Sequence, residues 1–337
     1  MSCMTESSGQ RMEVQDRAEL CFPQLLNTSC RKPTSHRFQD VFVHVVLSSI
    51  SVLTIVLNLL VIISVSYFRQ LHTPTNILLL SLAVSDFFVG TVLLPSDIYV
   101  QTQCWLLGDV MCSLINYVIF IVLSASVGNM VLISIDRYVA ICHPLHYPTR
   151  VNVSKAKLYV FLCWFCSAFY VGIVFRDMLN QPSITNSCDG ECVVVFSKTA
   201  FVTDLVVSFI APVIAIILLY MRIFVVAVSQ AHAMRSHTAA VTHQHSVARS
   251  TKKSELKAAR TLGVLVLVFL ICFCPSYCVA IVGASPYSIN LASIMFYLNS
   301  CLNPLIYALF YPWFRKAVKH IVTLQILQPG SSEVSMS

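Results

Sequence analysis

Residues Thr261–Phe314 read TLGVLVLVFLICFCPSYCVAIVGASPYSINLASIMFYLNSCLNPLIYALFYPWF, with no Asp, Glu, Lys or Arg anywhere in the run. A helix needs about 20 apolar residues to cross the hydrocarbon core of a bilayer. This stretch is too long for one crossing, and Ser285-Pro286-Tyr287-Ser288 breaks it into two. Working outward, Val41–Phe68, Val110–Ile135, Leu158–Phe175 and Leu205–Met221 are further charge-free runs, and Ile77–Pro95 is interrupted only by Asp86. The total is seven helices. Strands cross a membrane only as a closed barrel, and these runs lack its period-2 alternation. The sequence therefore predicts an all-α membrane protein, a seven-transmembrane helix bundle.

Of the 337 residues, 57% are hydrophobic and 11% charged, with a mean hydropathy of +0.76. A soluble domain carries about 25% charged residues, so lipid must cover much of this surface. Lys and Arg set the orientation, because they gather on the cytoplasmic side. With the N-terminus outside, the cytoplasmic segments hold 15 of the 22 basic residues against Asp136, Glu255 and Glu333, a balance of +12. The outer segments hold 7 basic and 10 acidic residues, a balance of −3. The net +7 is then a topology signal, not a sign of nucleic-acid binding, and the acidic outer face attracts cations.

An outer tail is expected over 1–38, the bundle over 39–311, and an amphipathic helix with a cytoplasmic tail over 312–337. Helices are predicted near 39–68, 74–102, 109–142, 155–178, 198–231, 252–284 and 288–311. The short eighth helix, 312–324, sets Trp313, Phe314, Val318 and Ile321 against Arg315, Lys316 and Lys319, a pattern suited to the membrane surface. Residues 232–251 are rich in His, Ser, Thr and Ala, and read as a mobile loop that absorbs His232, His237, His243 and His245. The sequon Asn27-Thr28-Ser29 falls in the outer tail, where glycosylation at Asn27 is expected. Seven of the 14 cysteines map outside, in an oxidising compartment, and the odd count leaves at least one unpaired or bonded between chains.

Polar residues inside a bilayer are costly and usually functional. Here they fall in an ordered series. Asn58 lies in the first helix and Leu82-Ala83-Val84-Ser85-Asp86 in the second. Asp136-Arg137-Tyr138 closes the third, and Trp164 is in the fourth. Pro212 and Tyr220 are in the fifth, Phe269-x-x-x-Phe273-Cys274-Pro275 in the sixth, and Asn303-Pro304-x-x-Tyr307 ends the seventh. In order and spacing, over about residues 40–320, the chain resembles a rhodopsin-like G-protein-coupled receptor. Asn299 to Phe314, the tail Cys21-Phe22-Pro23…Cys30, the loop Cys188-Asp189-Gly190-Glu191-Cys192 and His72-Thr73-Pro74-Thr75-Asn76 are similar to the trace amine-associated receptors.

That resemblance implies a receptor for a small-molecule amine, olfactory or chemosensory, in the plasma membrane, with olfactory cilia as the finer expectation. It implies a heterotrimeric G protein of the stimulatory type as partner, and cyclic AMP as the signal. Arg137 would pair with Asp136 and Glu255, and would later meet Tyr220 and Tyr307 around the G protein, with Tyr138 completing the motif. Pro275 and Pro304 supply hinges. Asp86, Ser126, Asn299, Ser300 and Asn303 would converge mid-bundle, where the family holds a sodium ion with water; a polar network without an ion is the other reading. No other cofactor is implied. Cys112 is expected to pair with Cys192, and Cys30 with Cys188.

One departure matters. The family's amine-gripping aspartate lies seven residues after Cys112 and eighteen before Arg137, and both counts land on Ile119. The fifth helix instead carries Asp204, eight residues before Pro212. A fish-rich branch of the family relocates the acid in this way, and the sequence resembles that branch. A buried carboxylate needs a partner or it neutralises, and no Lys or Arg lies in the apolar part of any helix. A ligand ammonium supplies that partner; a protonated or water-bound structural Asp204 is the alternative. Phe120, Phe273, Tyr277 and Tyr297 offer aromatic faces, and Thr203 and Ser276 offer hydroxyls. Asp97 either meets a second ammonium of a diamine or stands as a solvated rim charge. An intramembrane enzyme would need paired acids or Ser/His sets at one depth, and a transporter would show inverted repeats; neither pattern appears. A rhodopsin-like receptor for a non-amine ligand is the competing reading, because Ile119 removes the usual anchor.

Overall fold

The computed structural model describes residues 19–25, 27–32, 38–176, 188–193, 197–238, 246–282 and 285–335, excepting the side chains of 38–39, 230–238, 246–262 and 286–287. Seven helices are long and apolar enough to cross a membrane. Helix α1 is Phe38–Tyr67; α2 runs Pro74–Phe88, then a wider π-helical turn, Val89–Leu93, then Leu94–Thr102. Next come α3, Gly108–Cys142, and α4, Val153–Val174. Helix α5 is Lys198–Asp204, a π-turn Leu205–Ile210, and Ala211–Thr238. The bundle closes with α6, Ser246–Val282, and α7, Pro286–Phe310; the amphipathic α8 is Pro312–Val322.

The starts are written locally. Thr73, Asn152, Ser197 and Ser285 each accept a backbone N–H of the first turn of α2, α4, α5 and α7. Pro286 follows Ser285 at the first helical position, which is why the long charge-free run splits there. The stretch expected as a loop over 232–251 is helical at both of its ends. Helix α5 continues to Thr238 and α6 begins at Ser246, because Ala, Met, Gln and Arg in this stretch are good helix formers. His243 and His245 lie outside the described residues, as do the side chains of His232 and His237.

Both π-turns have one cause. A proline ring clashes with the carbonyl four residues before it. For Pro95 that residue is Thr91, and for Pro212 it is Ser208, each inside a π-turn. One extra residue per turn relieves the clash and rotates the helix beyond it by about 100°. The rotated portions carry Asp97 and Asp204. In α2 the π-turn is held from α1, where the Ser51 hydroxyl donates to the Gly90 carbonyl at 2.8 Å. A β-carbon at Gly90 would come within 3.0 Å of Ile55, so glycine permits this approach.

Polarity is inverted relative to a soluble protein. Phe42, Val45, Phe161, Phe165, Phe169, Leu218 and Phe224 are exposed, while Thr54, Asn58, Ser85, Asp86, Asn129 and Ser134 are fully buried. Lipid accepts the first set, and the bundle must satisfy the second internally. Trp164 on α4 donates to Ser81, which donates to Asn129, tying α4, α2 and α3 together.

Among the described residues three disulfides close one end of the bundle: Cys112–Cys192, Cys30–Cys188 and Cys21–Cys104. Cys3 lies outside the described residues. The tail segment crosses the loop at Ser29–Asp189, and the Thr28 hydroxyl donates to the Asp189 carboxylate at 2.6 Å. Asn27 is exposed on this lid. At the other end Arg315 of α8 donates to the Ala308 and Leu309 carbonyls at 3.0 Å, capping the end of α7 with a cation. Phe314 and Ala317 face the bundle.

Candidate functional site

Beneath the disulfide lid lie two adjoining cavities, each with one carboxylate. The first, about 40 Å³, is lined by Asp204, Phe120, Tyr170, Ser208, Phe273 and Tyr277, among others. Asp204 is half-buried. Its Oδ1 accepts hydrogen bonds from the Ser208 hydroxyl at 2.8 Å and the Tyr170 hydroxyl at 3.2 Å. No Lys, Arg or His pairs with it among the described residues. Tyr277 stacks on Phe209, with centroids 4.3 Å apart, and Phe120 lies 4.5 Å from Phe175.

The second cavity, about 260 Å³, is lined by Asp97, Asn116, Ile119, Trp105 and Tyr297, among others. Tyr297 of α7 donates its hydroxyl to Asp97 Oδ2 at 2.8 Å. Phe120, Leu123 and Phe296 line both cavities. A ladder of rings runs from Tyr297 through Phe296 and Phe273 to Phe269, at centroid separations of 5.4, 4.8 and 4.5 Å.

The sequence-predicted residues thus divide. Asp204, Phe120, Phe273 and Tyr277 share one cavity; Asp97, Ile119 and Tyr297 share the other. Two line neither. Thr203 is exposed on α5, one residue, or about 100° of helix, from Asp204. Ser276 turns to the Ala292 carbonyl of α7 at 3.2 Å, which consumes its hydroxyl in helix packing. Tyr170, Phe296 and Asn116 were not foreseen, since contacts between helices leave no local pattern. Ser208 was legible, standing one helical turn after Asp204.

Mid-bundle, Asn303 donates to Asp86 Oδ2 at 2.8 Å. Asp86, Ser126, Asn299, Ser300 and Asn303 are all buried. The Ser300 hydroxyl lies close to the Asp86 carboxylate, and among the described residues Asp86 Oδ1, Asn299 Oδ1 and Asn303 Oδ1 have no hydrogen-bond donor within range. Bare oxygens about one carboxylate suit a hard monovalent cation, so these residues fit a sodium ion.

At the end opposite the lid, Arg137 is closed on Asp136, with Nε 3.0 Å from Oδ2. Thr75 of α2 joins both, accepting from Arg137 and donating to Asp136 at 2.9 Å. Tyr147 donates to Asp136 Oδ1 at 2.9 Å, and burial, with Asp136 beside it, holds its phenol above the usual range. Tyr138 packs edge-on against His143. The Tyr220 and Tyr307 hydroxyls are buried and have no hydrogen-bond partner among the described residues. The Glu255 side chain lies outside the described residues.

Comparison with known proteins agrees with this architecture. Residues 57–307 match the 7 transmembrane receptor (rhodopsin family). The chain is 37% identical over 333 residues to trace amine-associated receptor 13c of Danio rerio, covering 95% of this chain and 97% of the relative. It is 36% identical to trace amine-associated receptor 1 of Mus musculus, over 91% and 96% of the two chains. It is 37% identical to trace amine-associated receptor 6 of Homo sapiens, over 94% and 95%. These are receptors rather than enzymes, and the matches run over nearly the whole length of each chain. The chain belongs to the rhodopsin family of seven-transmembrane receptors, within the trace amine-associated receptors.

Proposed function

We propose that this receptor is activated by amines and that Asp204 holds the ligand ammonium. One observation carries the reading: a carboxylate in an aromatic-walled cavity, met only by the hydroxyls of Tyr170 and Ser208, with no basic partner among the described residues. Two neutral donors compensate poorly for a desolvated charge, whereas an ammonium supplies both charge and hydrogen bonds. The relocated acid, with Ile119 at the family's usual position, supports membership of the fish-rich branch. The disulfide lid supports an outer N-terminal side at the plasma membrane, with Asn27 open to glycosylation.

Binding of the ammonium would draw α5 toward α6 through Tyr277 and Phe273. That shift would release Arg137 from Asp136 to meet Tyr220 and Tyr307 as a G protein docks. Stimulatory coupling, cyclic AMP and a chemosensory role in olfactory cilia complete the proposal. Sodium at Asp86 and its neighbours would favour the resting arrangement.

The test is a cyclic AMP screen of mono-, di- and polyamines on cells expressing the receptor, repeated with Asp204→Asn. Amine responses that vanish in the variant support the reading. Responses to lipids or peptides alone favour a non-amine ligand, a reading that Ile119, buried where the usual acid stands, keeps in contention.

A further inference from the structure

We propose that Asp97 and Tyr297 form a second cation-binding subsite, so that the preferred ligand is an elongated dication with one ammonium at Asp204 and the other at Asp97. This rests on the reading of Asp204 as an ammonium anchor. The cavity beside Asp204, about 40 Å³, holds a group of a few water volumes and not an alkyl chain. The rest of a ligand needs another space. The roomier compartment, about 260 Å³, shares the walls Phe120, Leu123 and Phe296 with the first. Those shared walls are apolar and match a methylene linker.

At the far end stands a second carboxylate. Asp97 is half-buried and receives the Tyr297 hydroxyl. No Lys, Arg or His pairs with it among the described residues. Trp105 and Tyr297 present ring surface to the same space, which favours a cation. Asn116 is occupied with the Cys112 carbonyl, at 2.9 Å, and supplies no competing charge.

The backbone reinforces the pairing. Each acid sits on the segment turned by a proline-induced π-turn, Asp97 beyond Val89–Leu93 and Asp204 before Leu205–Ile210. A neutral-tailed monoamine anchored at Asp204 would lay hydrocarbon against the Asp97 carboxylate and strip its water without replacement. A second ammonium removes that penalty. Ile119, also lining this compartment, keeps the route between the two acids apolar.

The experiment measures ligand-induced thermal stabilisation of the full-length purified receptor, and cell signalling, with α,ω-diaminoalkanes and n-alkylamines of equal carbon count. The expected result is that diamines of one favoured length act at about tenfold lower concentration than the matching monoamine. Asp97→Asn, close in shape, should abolish that advantage by weakening the diamine series alone, while monoamines, relieved of the stranded carboxylate, keep or gain potency. Tyr297→Phe should retain a diamine preference, because the carboxylate remains. The proposal is overturned if no diamine outperforms its monoamine, or if Asp97→Asn shifts both series equally or neither. If Asp204→Asn, still folded, leaves both series unchanged, the Asp204 anchor itself has failed, which is a different pattern.

Discussion

Asn58 of α1 donates its side-chain amide to the carbonyl oxygen of Ser300 in α7, at 3.0 Å. A helix would satisfy that carbonyl from residue 304, but Pro304 has no N–H. Asn58 therefore stitches the proline bend of α7 to α1, in a site where Asn58 is fully buried. Stranding a buried carbonyl costs about 1–3 kcal/mol. Asn58→Ala is expected to lose stability on that scale, read as a lower unfolding midpoint in detergent. An unchanged midpoint would mean that another donor replaces it.

If Asp204 holds the ligand ammonium as proposed, it should set ligand potency. A charge-assisted hydrogen bond is worth roughly 1.5–3 kcal/mol, and about 1.4 kcal/mol is a decade. Asp204→Asn should raise the half-maximal amine concentration at least about tenfold, and Asp204→Glu should keep partial activity with altered size preference. Ser208→Ala and Tyr170→Phe each remove one hydroxyl from the carboxylate and should cost less, about threefold to tenfold. Concentration–response curves at matched surface expression decide this; equal potency of Asp204→Asn and the native receptor would remove the anchor.

Asp136 receives Arg137, Thr75 and Tyr147 together. Removing its charge in Asp136→Asn should free Arg137 and raise ligand-independent signalling. Arg137→Ala should abolish signalling while ligand binding persists. Basal cyclic AMP and ligand binding, measured side by side, distinguish the two. A silent Asp136→Asn receptor that still binds ligand would contradict a resting lock.

Asp86 should make ligand affinity depend on sodium. Replacing sodium with N-methylglucamine is expected to raise agonist affinity in the native receptor, and Asp86→Asn should flatten the difference. Identical sodium dependence in both would argue for an ion-free polar network.

The lid makes a covalent prediction. Non-reducing peptide mapping should recover Cys21 linked to Cys104, alongside Cys112–Cys192 and Cys30–Cys188. Gly190 has a φ of +101°, and a β-carbon there would come within 2.7 Å of the Cys21 β-carbon. Gly190→Ala should therefore lower the yield of the Cys21–Cys104 peptide. Finding Cys104 as a free thiol in the native receptor would refute the bond.

The seven spans were legible because a bilayer imposes one simple rule on composition: about 20 apolar residues per crossing. Asp136-Arg137-Tyr138, Asn303-Pro304 and Asp204 also stood out, since a charge or proline inside such a run has few bland explanations. Helix ends were less certain. Residues 232–238 and 246–251 look like loop by their His and Ser content, yet they extend α5 and α6. The partner of Cys21 was open as well, because several pairings satisfy the same count of cysteines.

What sequence alone determined, then, is the number of helices and which residues carry charge into the membrane. What only the tertiary structure decided is the division of the ligand region into two cavities, with Ile119 and Tyr297 beside Asp97 and with Tyr170 and Ser208 on Asp204. The physical reason is angular. Spacing along a helix fixes a face only while the turn stays regular, and the two π-turns rotate Asp97 and Asp204 by about 100° relative to the rest of their helices. Which side chains then meet depends on neighbouring helices hundreds of residues away in the chain, as Tyr297 and Asp97 are.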